Sequence, residues 1–213
     1  MSQVKTKKRV TDHGEVYTSK REVSAMLDLV KDETERIESR FLEPACGNGN
    51  FLAEVLQRKL DVVINRYKKS QLEFEKYSVI AVSSIYGVEI LEDNAEECRD
   101  RLFTIFNKVY TKLFKEDCKE SCRESIRFLL TRNILWGDAL DFTNPVSKKP
   151  IVFSEWSAIN NNMIKRRDFI YKFLVEQTHQ FSLFNDEGNA AAIDEPVKDY
   201  PIMHFLKLAD YDH

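Results

Sequence analysis

The chain has 213 residues, of which 43% are apolar, and its 32 basic and 35 acidic side chains give a net charge of −3. This length and apolar content suffice to bury the core of one domain. The balanced charge lacks the basic excess that is typical of a dedicated nucleic-acid-binding protein. The sequence contains no run of about 20 apolar residues, which a membrane-spanning helix would require. The polar N-terminus also lacks the apolar core of a signal peptide.

The cysteines and histidines do not have the spacing of metal ligands. Cys118 and Cys122 are separated by one helical turn, and the four histidines are scattered along the chain. We therefore expect reduced thiols, a cytoplasmic location, no membrane contact and no metal site.

The spacing of apolar residues predicts an alternation of helices and strands. Helices are predicted over residues 19–31, 49–69, 72–83, 93–115, 119–130 and 157–177. Strands are predicted to begin at residue 41 and to cover residues 85–90, 133–136 and 150–153. Because these strands are continuous apolar runs separated by helices, we expect an α/β fold with a mostly parallel sheet.

The remaining residues of the chain are expected to form a tail. We predict a mobile loop over 185–199 and a last ordered element over 200–208. The predicted domain covers residues 1–180, including an N-terminal helical segment over 1–40, and the partly mobile tail covers residues 181–213.

The segment Phe-Leu-Glu-Pro-Ala-Cys-Gly-Asn-Gly-Asn-Phe, residues 41–51, predicts a buried strand, a tight turn and the start of a helix. Gly47 and Gly49 can take positive φ and let the backbone lie against a ligand. The free N–H groups of the helix N-terminus point to the same place. We therefore predict a nucleoside-cofactor site at the carboxyl end of a parallel sheet. The spacing is neither that of the dinucleotide fingerprint nor that of a phosphate loop.

The pattern acid-Pro-x-Cys-Gly-x-Gly-x-Phe resembles the S-adenosylmethionine loop of the adenine-N6 (amino) DNA methyltransferases. The resemblance implies a Rossmann-like fold, S-adenosylmethionine as cofactor and DNA as a partner, in a protein of the restriction-modification type. The cofactor-binding residues that it implies in this loop are Glu43, Pro44, Ala45, Cys46, Gly47, Asn48, Gly49 and Phe51.

The second predicted strand ends in an acid, Glu89. A carboxylate at this position is placed to accept hydrogen bonds from the ribose hydroxyls of a nucleoside. The segment Tyr86–Ile90 resembles the second motif of the family, which implies that Ile90 packs on the adenine. The alternative is an ordinary acid at a strand end.

The segment Asn133–Leu140 resembles the third motif of the family. By this resemblance Asp138 accepts a hydrogen bond from the adenine amino group, with Ala139 beside it in the cofactor site. The alternative is an aspartate that stabilises a turn after Gly137.

The upstream segment 14–19 resembles the family's leading segment, which usually ends in aromatic-Thr-Pro. Tyr17 and Thr18 match this pattern and are implied to contact the cofactor, whereas Ser19 stands where proline is usual. Thr-Ser before Arg21 and Glu22 is also an ordinary helix start. The four segments occur in the family's order and cover residues 9–142.

The catalytic motif of the family, Asn/Asp/Ser-Pro-Pro-aromatic after the fourth strand, is not reproduced. There the polar side chain accepts the amine hydrogens, and the aromatic ring stacks on the flipped base. Here Ser154-Glu155-Trp156 follows the predicted strand, and the chain contains no Pro-Pro. The candidate catalytic residues are Ser154 or Glu155 as acceptor and Trp156 as the stacking ring. Alternatively, Trp156 is a core or interface residue.

The substrate side of the predicted sheet is expected to be incomplete. A complete methyltransferase sheet of this family has about seven strands, and only 57 residues follow Trp156. The exposed edge of the fourth strand would need a cover. The helix over 157–177, the segment over 200–208 or a partner chain could provide it.

Three hypotheses follow for the function. The chain is an S-adenosylmethionine-binding member of the adenine-N6 DNA methyltransferase family, with its activity in isolation left open. Alternatively, it is a non-catalytic cofactor-binding subunit or pseudo-methyltransferase that works with a partner chain. The third hypothesis is a methyltransferase for a substrate other than DNA. The segment over 153–157 distinguishes the first two.

Overall fold

The computed structural model describes residues 18–175 and 195–212. In these ranges the helices are α1 (Lys20–Asp28), α2 (Lys31–Thr34), α3 (Asn50–Tyr67), α4 (Gln71–Ser83), α5 (Glu92–Phe114) and α6 (Glu120–Asn133). The strands are β1 (Phe41–Glu43), β2 (Ile85–Glu89), β3 (Ile134–Trp136), β4 (Val152–Ile159), β5 (Met163–Ile170), β6 (Lys198–Asp199) and β7 (Met203–His204). Two 3-10 helices cover Lys115–Asp117 and Phe205–Asp212, and a short helix covers 171–175.

The first three strands form a parallel sheet in the order β1-β2-β3. Helices α3 and α4 connect β1 to β2, and α5 and α6 connect β2 to β3. Because both connections step in the same direction across the sheet and share one hand, their helices pack on the same face. The predicted mixed α/β architecture, with a parallel sheet and flanking helices, is confirmed to this extent.

The two faces of β2 contribute to different cores, since side chains alternate along a strand. Ile85 belongs to the main core, which also contains Leu52 and Leu56 of α3. Tyr86 and Val88 face the opposite side of the sheet and belong to a smaller cluster. The other buried members of this cluster are Ile151, Phe153 and Tyr171. No helix from α1 to α6 contributes to the smaller cluster, so this face is covered by the chain around β4 and β5.

The helix predicted over 157–177 is wrong, and so is the expectation that the fourth strand extends the parallel sheet. β4 and β5 form an antiparallel hairpin in a second sheet. Asn161 and Asn162 in its turn have φ of 62°, a conformation that asparagine tolerates better than most residues. β5 is also paired with β6 and β7. Its alternation of buried and half-exposed residues is that of a strand with one buried face.

Buried charges in the hairpin explain why its sequence resembles a solvated helix. Arg166 and Asp168 lie on the buried face of β5, with 3% and 7% of their surfaces exposed. The guanidinium donates to both carboxylate oxygens of Asp168 at 3.0 Å. The hydroxyl of Ser154 donates to the same carboxylate at 2.7 Å. A buried charge is tolerated only with such partners; here the two charges pair along β5, and Ser154 of β4 adds a third group.

The last described segment is ordered, as predicted for residues 200–208. Phe205 and Leu208 are fully buried in the main core. The backbone N–H of Leu208 donates to the Ser125 hydroxyl of α6 at 3.4 Å. The segment 176–194, which holds most of the predicted mobile loop, lies outside the described residues. The division of the chain at residue 180 stays a prediction.

Candidate cofactor site

The loop after β1 makes a tight glycine turn at the carboxyl edge of the sheet. The N–H of Cys46 donates to the Val88 carbonyl at 3.0 Å, which continues the pairing of β1 with β2. Gly47 and Gly49 then take φ of 52° and 82°. Gly49 is the N-cap of α3 and provides no side-chain cap. The first N–H groups of α3 are therefore available to a ligand at this turn.

Gly49 is required by packing as well as by its positive φ. A Cβ at this position would lie 2.6 Å from the Cys98 sulfur of α5. A Cβ at Gly87, in β2, would lie 2.9 Å from the Cys46 sulfur. The loop thus sits directly on β2 and α5 without room for side chains at these two positions.

Glu89 joins the loop to the end of β2. Its carboxylate accepts hydrogen bonds from the N–H groups of Gly47 at 2.8 Å and Leu91 at 3.0 Å. The side chain is largely buried, with 7% of the residue exposed. A carboxylate has about four lone-pair sites, so two remain for a ligand's hydroxyl groups.

Asp138 lies at the same edge, after β3. The N–H of Gly137 donates to the Glu89 carbonyl at 2.9 Å, which ties the two strand ends together. Oδ1 of Asp138 accepts from the N–H groups of Leu140 at 2.8 Å and Asp141 at 3.2 Å. The aspartate therefore does stabilise its own turn, and its Oδ2 accepts no hydrogen bond from the described residues.

The structure also brings the upstream segment to the loop. The side-chain amide of Asn50 donates to the Thr18 carbonyl at 3.1 Å. The side-chain oxygen of Asn50 accepts a hydrogen bond from Arg101 of α5 at 2.6 Å. The side-chain amide of Asn48 donates to Glu97 of α5 at 3.0 Å. Tyr17 lies outside the described residues.

Sequence reasoning missed the α5 residues that hold the loop, Glu97, Cys98 and Arg101. They lie about 50 positions from the loop, in a helix whose pattern showed only an acidic first turn and an apolar face. No local signal identifies them, because their role depends on how α5 packs.

Two side chains of the loop, Cys46 and Glu43, have raised pKa values. A hydrogen bond with Cys98 and, as the second largest cause, burial raise the pKa of the Cys46 thiol. Cys46 therefore stays protonated and is poorly suited as a nucleophile. Burial raises the pKa of the Glu43 carboxyl, against a hydrogen bond with the Ala45 backbone.

The other implied cofactor residues differ in exposure. Ile90 is 46% exposed at the end of β2, and its carbonyl accepts from the Trp136 indole N–H at 3.0 Å. Phe51 packs against the main core and Ala139 against the smaller cluster. Pro44 and Ala45 are exposed in the turn. An exposed apolar side chain such as Ile90 can pack on a flat ring at this edge.

The candidate catalytic residues lie inside β4, which crosses the sheet away from the loop. Ile151, which directly precedes β4, lies close to Gly137 at the carboxyl edge. Further along, the Glu155 carboxylate accepts from Arg40 at 2.6 Å, just before β1 begins. The path of β4 therefore carries Ser154, Glu155 and Trp156 to the amino end of the sheet.

Each of these three side chains has structural partners there. Ser154 is 2% exposed, and its hydroxyl donates to Asp168. Trp156 is 7% exposed in the main core, and its indole N–H donates to the Asn133 side chain at 2.9 Å. The structure thus does not bring the catalytic candidates together with the glycine turn, Glu89 and Asp138.

A family model described as MmeI, DNA-methyltransferase domain, matches residues 17–150, more than half of the chain. The chain belongs to this DNA-methyltransferase family. The match confirms the resemblance to DNA methyltransferases, and it contains the glycine turn, Glu89 and Asp138. It ends just before β4, so it does not reach the candidate catalytic residues. Neither the curated proteins nor the solved structures contain a match to the chain.

Membership in a DNA-methyltransferase family indicates DNA as the substrate and a methyl donor as the second reactant. Within residues 18–175 and 195–212, no three His, Cys, Asp or Glu side chains are grouped to hold a metal ion. In the same ranges no helix has the length and apolarity needed to cross a membrane.

Proposed function

We propose that the chain is the S-adenosylmethionine-binding part of an adenine-N6 DNA methyltransferase of the restriction-modification type, acting in the cytoplasm. The observation that carries the proposal is the convergence of a glycine turn, Glu89 and Asp138 at one edge of a parallel sheet. Hydrogen bonds of 2.8 and 2.9 Å connect these three parts. Their order along the chain and their place in the sheet are those of a nucleoside site.

Each group in the site has a chemical task. The free lone pairs of Glu89 accept hydrogen bonds from the two ribose hydroxyls. Asp138 Oδ2 accepts from the adenine amino group, while Ile90 packs on the ring. The N–H groups at the turn and at the start of α3 bind the carboxylate of the methionine part, close to Thr18.

When bound, S-adenosylmethionine supplies an electrophilic methyl group on a sulfonium. The target amine attacks this carbon in line: the new C–N bond forms, the C–S bond breaks, and the amine then loses a proton. The residues described above hold the donor in one orientation, and such alignment contributes a large part of the rate of a two-reactant step.

The acceptor side of the reaction is not assembled at this edge by the described residues. Catalytic roles for Ser154, Glu155 and Trp156 stay a prediction, and the position of these residues at the opposite end of the sheet argues against such roles. This placement favours the second hypothesis, a cofactor-binding subunit that works with a partner chain. The partner would supply the acceptor groups and the recognition of the DNA sequence.

Calorimetric titration with S-adenosylmethionine and S-adenosylhomocysteine tests the proposal. We expect micromolar binding of both, weakened by ~1–3 kcal/mol in Asp138→Ala because a ligand's polar group loses its partner. The matched control is Asp141→Ala, in the same turn, because only the backbone N–H of Asp141 contacts Asp138. Absence of binding, or equal losses in the two variants, would overturn the assignment. Transfer of a labelled methyl group to DNA, measured with the chain alone, then separates the first two hypotheses.

A further inference from the structure

An apolar groove of about 590 Å³ lies on the face of the sheet opposite the helices. Its floor includes Leu42 of β1 and Tyr86 of β2, and Phe153, Phe169 and Leu174 form other parts of its lining. Leu42 is 44% exposed. Among the described residues, the groove therefore leaves apolar surface accessible next to β1 at the edge of the parallel sheet.

The groove adjoins an open strand edge. Among the described strands only β2 pairs with β1. The N–H of Phe41 donates toward β2, to the Ser84 carbonyl at 2.9 Å. Since successive residues of a strand direct their backbone groups to opposite sides, the N–H and C=O of Leu42 point away from β2. An edge of this kind is a template for one more strand.

The rim of the groove carries a surplus of positive charge. Glu155 accepts hydrogen bonds from Arg40 and Arg167, each at 2.6 Å and each on a different carboxylate oxygen. One carboxylate thus serves two guanidinium groups. Both arginine side chains are also partly exposed, Arg40 to 55% and Arg167 to 39%. The rim is therefore complementary to an additional carboxylate.

We propose that β1 and this groove bind an extended segment of a second protein. The segment pairs with Leu42 as a strand, buries alternate apolar side chains in the groove and presents a carboxylate to Arg40 and Arg167. The proposal rests on the proposed function for the partner's role, since it states where the chain that completes the methyltransferase attaches. Its contacts share no residue with the glycine turn, Glu89 or Asp138, so the two proposals fail independently.

The test uses the full chain and a fluorescein-labelled peptide, Asp-Val-Leu-Val-Leu-Val-Asp, followed by fluorescence anisotropy. We expect saturable binding that is at least about tenfold weaker when both end residues are lysine. A peptide with proline at its central positions cannot pair with a strand edge and should not bind. Arg167→Gln should remove the preference for the acidic over the lysine-ended peptide.

Two exposed leucines provide a matched pair of variants. Leu42→Lys places a charge at the strand edge and in the groove, and it should weaken the binding of the acidic peptide at least about tenfold. Leu72→Lys makes the same change at a position that is 42% exposed in α4 and should leave peptide binding unchanged. Both variants should bind S-adenosylhomocysteine like the unmodified chain, which shows that they are folded and that the cofactor site is separate.

Three results would overturn the proposal. They are the absence of peptide binding, equal binding of the proline peptide, and equal effects of the two leucine variants. Light scattering can give a fourth such result. If the chain self-associates, if Leu42→Lys abolishes the self-association, and if the self-associated chain does not bind the peptide, then a second copy of the chain occupies the edge. Loss of S-adenosylhomocysteine binding with intact peptide binding would instead contradict the proposed function alone.

Discussion

Glu89 and Gly47 are joined by a hydrogen bond of 2.8 Å from the glycine N–H to the carboxylate Oε2. The two residues lie 42 positions apart, one at the end of β2 and the other in the turn after β1. The acid that is proposed to bind the ribose therefore also holds the loop that surrounds the cofactor. Ligand affinity and loop stability are expected to change together when this side chain is altered.

Replacing Glu89 tests this double role. Glu89→Ala leaves the Gly47 N–H without its partner, and we expect a loss of ~1–3 kcal/mol both in cofactor binding and in the free energy of unfolding. Glu89→Gln keeps one acceptor oxygen and should lose less of each. Calorimetric titration and urea unfolding measure the two quantities. An alanine variant with unchanged affinity would contradict the proposed ribose contact.

Gly49→Ala tests the steric argument for the turn. An alanine at φ of 82° is strained, and its Cβ would lie 2.6 Å from the Cys98 sulfur. We expect a loss of ~2–3 kcal/mol in the free energy of unfolding, measured by urea titration. Adding Cys98→Ala should restore the part that is due to the sulfur contact. The prediction fails if Gly49→Ala is as stable as the unmodified chain.

The two tryptophans offer a comparison between the core and the cofactor edge. Trp156→Phe leaves the buried Asn133 oxygen unpaired and should cost ~1–3 kcal/mol of stability without changing cofactor affinity. Trp136→Phe removes the hydrogen bond to the Ile90 carbonyl at the cofactor edge. We expect it to reduce the free energy of cofactor binding by more than it reduces the free energy of unfolding. Thermal unfolding and calorimetric titration of both variants check this. A cofactor effect confined to Trp156→Phe would show that Trp156, not Trp136, lies at the site.

Lys59 makes stability depend on pH. Its ammonium group is fully buried and donates to the carbonyls of Ile37 at 2.8 Å and Ser39 at 2.5 Å. Burial lowers the pKa of Lys59 to about 7, whereas a lysine in the unfolded chain titrates near ~10.4. Between these values the unfolded chain binds the extra proton. The free energy of unfolding contributed by this group therefore rises with pH, by up to ~1.4 kcal/mol per pH unit.

Urea unfolding between pH 6 and pH 9.5 measures this effect, since this is roughly the window in which the folded and unfolded states differ in bound protons. The unmodified chain should gain stability relative to Lys59→Met as the pH rises above about 7, and the difference should be flat below it. Lys108→Met, at an exposed position of α5, should follow the unmodified chain. A difference that stays constant over the whole range would contradict the lowered pKa.

The features that depend on local sequence were predictable. The glycine turn, the strand ending in Glu89 and the turn at Asp138 are signalled by residue types within a few positions. The helices before β3 follow from apolar spacing, and the structure gives nearly the same bounds. The segment 14–19 also led to the assignment of Thr18, whose backbone carbonyl accepts a hydrogen bond from Asn50 in the loop; its contact with the cofactor stays a prediction.

The features that depend on distant partners were not predictable. The segment from Lys165 to Asp168 carries four consecutive charges, which is typical of a solvated helix face, yet it is a strand. Asp168 pairs with Arg166 and Ser154, and Arg167 reaches Glu155 on β4. Arg166 and Asp168 lie two residues apart on β5, but only the antiparallel register of the hairpin places Ser154 opposite Asp168 and Glu155 opposite Arg167. In the same way, the contacts of α5 with the loop follow from packing and leave no local signal.

Chemical-shift mapping of the ¹⁵N-labelled chain with S-adenosylhomocysteine tests whether the cofactor binds at the carboxyl edge of the sheet. We expect the largest shifts on the backbone amides of Gly47 to Asn50, Glu89 to Leu91 and Asp138 to Ala139, with little change at Leu42 and Glu155. No shifts at saturating ligand, or shifts confined to the groove around Leu42, would contradict a cofactor site at the carboxyl edge of the sheet.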